Sequence, residues 1–145
     1  MHEFPTENFD LLTRHQTAEN AHDLDATLTT LAEDCVFHDL ASGRRWDGHA
    51  GATEYYQTWW AAFDHQVASE RLHFASPHIV IAETRWVGRH VGKYWGIAPT
   101  GRAIDVPVVI FVTFRDGLMA EERFSWDRAS LLAQLDCSPG FWGQR

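Results

Sequence analysis

The chain has 145 residues, among them nine histidines, twenty acidic residues and two cysteines, and the spacing of these groups narrows the chemistry open to it. His38, His49, His65, His73, His78 and His90 are scattered, with no His-Glu-x-x-His and no Cys-x-x-Cys, so no metal site is expected. Cys35 and Cys137 do not make a secreted disulfide framework, although they leave room for one bridge. Asp127 has the most informative setting. Asp116-Gly117 is a strong hairpin signal between two strand-like runs, Ile104 to Phe114 and Leu118 to Trp126. If Arg115 pairs with Leu118, Asp127 falls opposite Val106, Ser125 opposite Val108, and Arg123 opposite Ile110. Cross-strand partners share a face. The expectation is therefore a carboxylate at a strand end on a largely apolar face, provided no bulge shifts the register.

The elements that must hold such a site follow from periodicity. Glu7 to Asn20 suits a helix with Phe9, Leu12, Ala18 and Ala21 near one face, and a short helix follows with Asp23 as its N-cap. Cys35 to Asp39 reads as a short strand, and Gly43 with Asp47-Gly48 marks a loop. Ala50 to Phe63 is the clearest helix, carrying Tyr56, Trp59 or Trp60, and Phe63 at helical spacing. Arg71 to Ala82, Thr84 to Tyr94 and the two hairpin runs then have strand composition. Helices first and strands later argue an α+β fold with a mixed or antiparallel sheet, in one domain spanning residues 1–145.

Bulk properties bound the partners. The net charge of −8, with no basic run interleaved with aromatics, argues against nucleic acid. No apolar run reaches membrane-span length, and the first residues lack the pattern of a signal peptide, so a cytoplasmic protein is expected. Aromatics make up 13% of the chain, enough to fill a core or to line a pocket for a flat, apolar ligand.

Several short segments, in order, carry a family likeness: Asn20-x-His22-Asp23, Ala32-Glu33-Asp34-x-Val36-Phe37-His38-Asp39, Gly88-Arg89-His90-x-Gly92, Gly96-Ile97-x-Pro99-Thr100-Gly101-Arg102, and Asp116-Gly117 through Trp126-Asp127 to Leu131-Leu132-x-Gln134-Leu135. Over nearly its whole length the sequence resembles the SnoaL-like polyketide cyclases, within the nuclear transport factor 2-like and ketosteroid isomerase-like superfamily. The resemblance implies a cone-shaped curved sheet wrapped around about three helices, an apolar cavity and a homodimer. It also implies a small hydrophobic or aromatic ligand, and ring closure by intramolecular aldol condensation with neither metal nor organic cofactor.

By the same resemblance Asp127 matches the cyclases' acid/base aspartate. A carboxylate in a water-poor aromatic pocket has its charged form disfavoured, which suits proton abstraction beside a carbonyl. The alternative is that Asp127 caps a helix starting near Ala129. His90 stands where such proteins often have histidine and would polarise a carbonyl, or else fill the core. Asp39 is a candidate partner at the cavity mouth. Tyr56, Trp59, Ile110 and Val108 are candidate pocket walls. Arg123 replaces a tryptophan common in the family; it either faces the cavity to bind an anion or pairs on the surface with Glu121. Epoxide opening, which in relatives needs an Arg-x-Asp pair, meets Val87 two residues after Arg85; steroid isomerisation meets Ile110 where an oxyanion donor would stand. Epoxide hydrolase, isomerase, dehydratase and non-catalytic binding functions remain alternatives on such a fold.

Overall fold

The structure is a computed structural model and describes residues 3–137. In helix α1 (Thr6–Asn20), Asn8, Leu11, His15 and Ala18 form one buried stripe with spacings of three or four residues. The stripe expected from sequence is rotated: Phe9 is 45% exposed, while His15 points inward. Helix α2 (Leu24–Leu28) starts as expected, with the Asp23 carboxylate accepting from the Ala26 N–H at 3.0 Å. Strand β1 (Leu31–Asp39) begins earlier than Cys35, and β2 (Arg45–Asp47) pairs with it. Helix α3 (Gly48–Ala62) buries Tyr55, Tyr56 and Trp59.

The next strands differ from expectation. β3 (Phe63–Ser76) follows α3 directly, and the break before β4 (Ile79–His90) falls at Pro77-His78 rather than after Ala82. Proline lacks the N–H that a continuing ladder needs. Then come β5 (Ala103–Arg115), β6 (Leu118–Trp126) and α4 (Arg128–Gln134). The sheet order is β2-β1-β6-β5-β4-β3, with β1 and β6 parallel and every other pair antiparallel. It is an α+β fold, as expected, with a curled, unclosed sheet. No helix among the described residues is long and apolar enough to cross a membrane.

The inner face of the sheet takes alternate residues. Ile104, Val106, Val108, Ile110, Val112 and Phe114 of β5 are all buried. Two glycines allow close crossings, Gly88 of β4 against β3 and Gly92, just past β4, against the end of α3. A Cβ on Gly88 would lie 1.8 Å from the Asp64 carbonyl oxygen, and one on Gly92 would lie 1.9 Å from that of Ala61. The free edge of β3 is covered by α1: Asn20 Nδ2 and Gln16 Nε2 donate to the Val67 carbonyl, and Val67 N–H donates to Asn20 Oδ1 at 2.7 Å.

The β5–β6 hairpin begins as expected, with Asp116 and Gly117 both at positive φ and Arg115 opposite Leu118. Phe114 pairs with Met119, but Thr113 pairs with Glu121, so Ala120 is an extra residue. From that bulge onward Val112 faces Glu122, Ile110 faces Phe124, and Val108 faces Trp126. The expected register is off by one. Glu122, Phe124 and Trp126 turn toward the core, while Arg123, Ser125 and Asp127 turn out and are exposed.

Candidate active site

The bulge exchanges the carboxylates that the fold offers to its interior. Asp127 is exposed and N-caps α4: its Oδ1 accepts from the Ala129 N–H at 3.0 Å and its Oδ2 from the Ser130 hydroxyl at 3.0 Å. It does not share the apolar face of Val108 and Ile110. Arg123 also lies outside, its Nε 3.2 Å from Glu121 Oε1 and its guanidinium over the Phe111 ring. That is the surface pairing held open for it from sequence.

Glu122 faces inward, only 4% exposed, and meets two residues of α1. His15 Nε2 stands 3.5 Å from Glu122 Oε1 and 3.1 Å from Glu19 Oε2, while His15 Nδ1 is 2.7 Å from the Thr30 hydroxyl. The Tyr56 hydroxyl donates to Glu19 Oε2 at 3.0 Å. His15 and Glu19 are one helical turn apart, so both reach the same spot from α1. Two carboxylates, an imidazole and a phenol thus gather inside a sheet whose neighbouring walls are Ile110, Val112 and Val67.

The electrostatics separate the two acids. Burial, then the charge of Glu19, pushes the Glu122 carboxyl up to about 7, although His15 opposes the shift. Glu19 is likewise raised by burial, but its hydrogen bond and charge interaction with His15, and the Tyr56 hydroxyl, bring it below the ordinary range. Burial alone would lower His15; the Glu122 and Glu19 charges outweigh it and hold His15 above its usual value. Burial also keeps the Tyr56 phenol neutral. The shifts thus favour a charged His15 beside a charged Glu19, next to an acid poised to gain or lose a proton.

Three small voids run along the interior. One opens between α1 and the sheet, with Leu12, Val67, Ala82 and Ile110 as walls and Glu122, Glu19 and His15 on its polar side. A second lies deeper, among Glu19, Tyr56, Trp59, His65, Trp86 and Phe124. A third lies at the opposite mouth, beside Asp39, Arg44, Trp46 and Trp59. Glu19 and Ile110 line both the first and second, while Tyr55 and Trp59 line both the second and third. The space open to the centres of water-sized spheres is about 30, 10 and 20 Å³ in turn, so the first and third have room for a water or two and the second for barely one. Aromatic rings fill the rest: Trp59 alone contacts the rings of Trp86, Tyr94 and Trp126 at 4.8–5.8 Å.

The sequence candidates therefore separate. Tyr56, Trp59 and Ile110 line the interior, and Asp39 lines the mouth, its Oδ1 accepting from Trp126 Nε1 and the Ala41 N–H and its Oδ2 from the Ser42 hydroxyl. Val108 is a buried β5 residue whose carbonyl accepts from the Thr84 hydroxyl. His90 is fully buried against Phe63, with its pKa lowered by that burial. Its Nδ1 accepts from the Thr100 N–H at 3.1 Å and lies 3.0 Å from the Thr100 hydroxyl, while its backbone pairs with Gly101 and Arg102. It pins the Thr100-Gly101-Arg102 loop and lines none of the three voids. Sequence reasoning missed His15, Glu19 and Glu122. The available signal was His15 at helical spacing from Leu11 and Ala18.

The family model described as SnoaL-like polyketide cyclase matches residues 9–135. No curated protein matches the chain significantly. Among solved structures, a candidate SnoaL-like polyketide cyclase from Jannaschia sp. CCS1 superposes with a TM-score of 0.84 at 22% identity, over 96% of this chain and 98% of that one. A candidate polyketide cyclase from Xanthomonas campestris gives 0.81 at 24% identity, over 89% and 96%. A Catenulispora acidiphila protein with a ketosteroid isomerase-like fold, solved with trimethylamine, gives 0.76 at 18% identity, over 94% and 96%. At these identities the structures establish a shared fold.

Proposed function

Because the chain belongs to the SnoaL-like polyketide cyclase family, we propose that it is an acid/base enzyme, working without a cofactor, that closes a ring on a hydrophobic, carbonyl-bearing substrate by intramolecular aldol condensation. The observation that carries this reading is the meeting of Glu122, Glu19, His15 and Tyr56 beside an apolar opening between α1 and the sheet. In the proposed step the Glu122 carboxylate removes a proton from the carbon beside a carbonyl. The resulting enolate carbon bonds to a second carbonyl carbon, and the new alkoxide takes the proton back from Glu122. His15, held by Thr30 and Glu19, steadies the charge that moves. An acid that titrates near 7 suits both halves of the cycle, and a placed acid/base group supplies roughly 10²–10⁴-fold. In this reading the reacting end of the substrate enters between α1 and the sheet, against the aliphatic walls of Leu12, Val67, Ala82 and Ile110 beside Glu122.

The family resemblance assigns the acid/base role to Asp127 instead, which here is an exposed cap. The two assignments are tested together on a panel of polyketide-like 1,3-dicarbonyl esters, by ring closure and by exchange of the α-proton for deuterium. Glu122→Gln is expected to lose turnover and exchange while Asp127→Asn keeps both; the reverse pattern returns the role to Asp127. A homodimer belongs to the same proposal. Its support is the outer sheet face, where exposed Val87 and half-buried Val109 and Phe111 lie among the Arg85–Asp105 and Arg123–Glu121 pairs, and sedimentation would test it.

A further inference from the structure

His65 is an interior titratable group that the proton-transfer cluster leaves unused. It is the third residue of β3, with its side chain turned inward and 7% exposed. Its carbonyl accepts from His22 Nε2 at 2.9 Å, and the His22 ring in turn stacks on Trp60 with centres 4.9 Å apart. The His65 ring leans on Trp59 and Trp86, each 6.0 Å away centre to centre. His65 Nδ1 lies 3.5 Å from the Phe63 carbonyl oxygen. Two lone pairs facing each other there would repel, so the proton belongs on Nδ1 and Nε2 keeps its lone pair.

That lone pair has no hydrogen-bond partner among the described residues, and His65 lines the deep void together with Glu19 and Tyr55. Both neighbours also have a polar atom to spare. Glu19 Oε2 engages His15 and Tyr56, which leaves Oε1. The Tyr55 hydroxyl, in a residue only 6% exposed, likewise meets no partner among the described residues. Buried polar groups are rarely left unpaired. Here two acceptors and one donor share about 10 Å³ of space for the centre of a water-sized sphere, just enough for one water molecule.

We propose that the deep void is a binding site for one water, and that through it His65 is a positioning residue for the proton-transfer cluster. The water donates to His65 Nε2 and Glu19 Oε1 and accepts from the Tyr55 hydroxyl, the usual number of partners for a buried water. The groups facing Glu19 are His15 on α1, Tyr55 and Tyr56 on α3, His65 on β3 and Glu122 on β6. Burial holds the His65 imidazole below its ordinary pKa, which keeps it a neutral acceptor. A hydrogen bond donated to a carboxylate favours its charged form, and the Glu19 charge is one of the causes that raise Glu122. The water thus links a residue of β3 to the acid on β6. The site does not rest on the aldol reading, because it is measured without substrate.

Nitrogen NMR of the full wild-type chain near neutral pH tests the lone pair. His65 is expected as the Nδ1–H tautomer, and a proton on Nε2 overturns the proposal. Magnetic relaxation dispersion of the solvent then counts long-lived waters. His65→Phe, which puts carbon in place of Nε2, should hold one fewer than the wild type. His65→Gln, which offers an acceptor oxygen near the same place, should hold the same number. The positioning role is read on Glu19 by carboxyl-carbon NMR. Its titration midpoint should rise by about one pH unit in His65→Phe, the effect of one hydrogen bond to a charge, and stay near wild type in His65→Gln. An unchanged water count in His65→Phe, or a Glu19 midpoint that moves equally in both variants or in neither, overturns the proposal. If His65→Phe does not fold, a crystal structure of the wild type decides. A water within hydrogen-bond reach of both His65 Nε2 and Glu19 supports the site, and a dry void overturns it.

Discussion

The inner and outer faces of β6 carry similar residue types into opposite physical settings. Outside, Glu121 and Arg123 pair at 3.2 Å with side chains 41–46% exposed, where water screens the attraction and two long side chains lose freedom to hold it. Inside, Glu122 stands 3.5 Å from His15 with both side chains at 5% exposure or less. There the missing water raises the cost of each charge and strengthens each interaction between charges. The same contrast separates Glu122 from Asp127, one a buried acid pushed up to about 7 and the other a solvated helix cap. An acid side chain acquires its chemistry from the face on which the chain places it, and one inserted residue, Ala120, sets that face here.

Deleting Ala120 tests the contrast most directly, because it removes the extra residue and leaves the pairs beyond it unchanged, with Val112 still facing Glu122 and Ile110 still facing Phe124. The expected outcome is a cooperative fold by circular dichroism, destabilised by up to about 3 kcal/mol in urea melts, with Glu122 still buried. Loss of the fold would mean that the bulge itself, and not only the register beyond it, holds the sheet together.

His15→Asn leaves two carboxylates facing each other without their shared cation. Stability near neutral pH should fall by about 3 kcal/mol in urea melts, and by less at about pH 5, where Glu122 is protonated. An equal loss at both pH values would remove charge from the explanation.

The pH dependence sharpens the comparison. Glu122 is raised from 4.5 to about 7 in the fold, so its contribution is complete below about 4.5 and is lost as pH rises toward about 7. His15, also raised, loses its contribution above its unfolded value of 6.5 as pH passes through the folded one. Glu19 is lowered, so its contribution is present above 4.5 and disappears as pH falls through its folded value. The wild-type urea midpoint should therefore decline between about pH 5 and pH 8, and Glu122→Gln should flatten most of that slope. A slope that persists in the variant would place its source elsewhere.

The outer face should respond least. Asp127→Ala removes the α4 cap and should cost about 1 kcal/mol. Arg123→Gln should leave the melting temperature unchanged within error. A thermal shift for Arg123→Gln larger than that for Asp127→Ala would show that the outer pair matters more than its exposure implies.

Much of this arrangement was legible in the sequence. Asp23 caps α2 because a short acceptor there reaches a free N–H, a local fact. The aromatic repeat Tyr56-x-x-Trp59 marks the buried stripe of α3, and Asp116-Gly117 marks the hairpin turn, since both depend on backbone geometry over a few residues. The ordered motifs from Asn20 to Leu135 also pointed to the family that the model match establishes. Other features needed contacts between distant parts of the chain. Gly88 is small because Asp64 crosses it, and His90 is buried because Thr100 folds back upon it. Arg115-Asp116-Gly117-Leu118 specified the turn but not the bulge two residues beyond, where packing of Met119 and Ala120 against the core takes over from local preference. Glu122 lies about a hundred residues of chain from His15 and Glu19, so the charges of the three shift one another's protonation only once α1 is laid across β6 and shields them from bulk solvent.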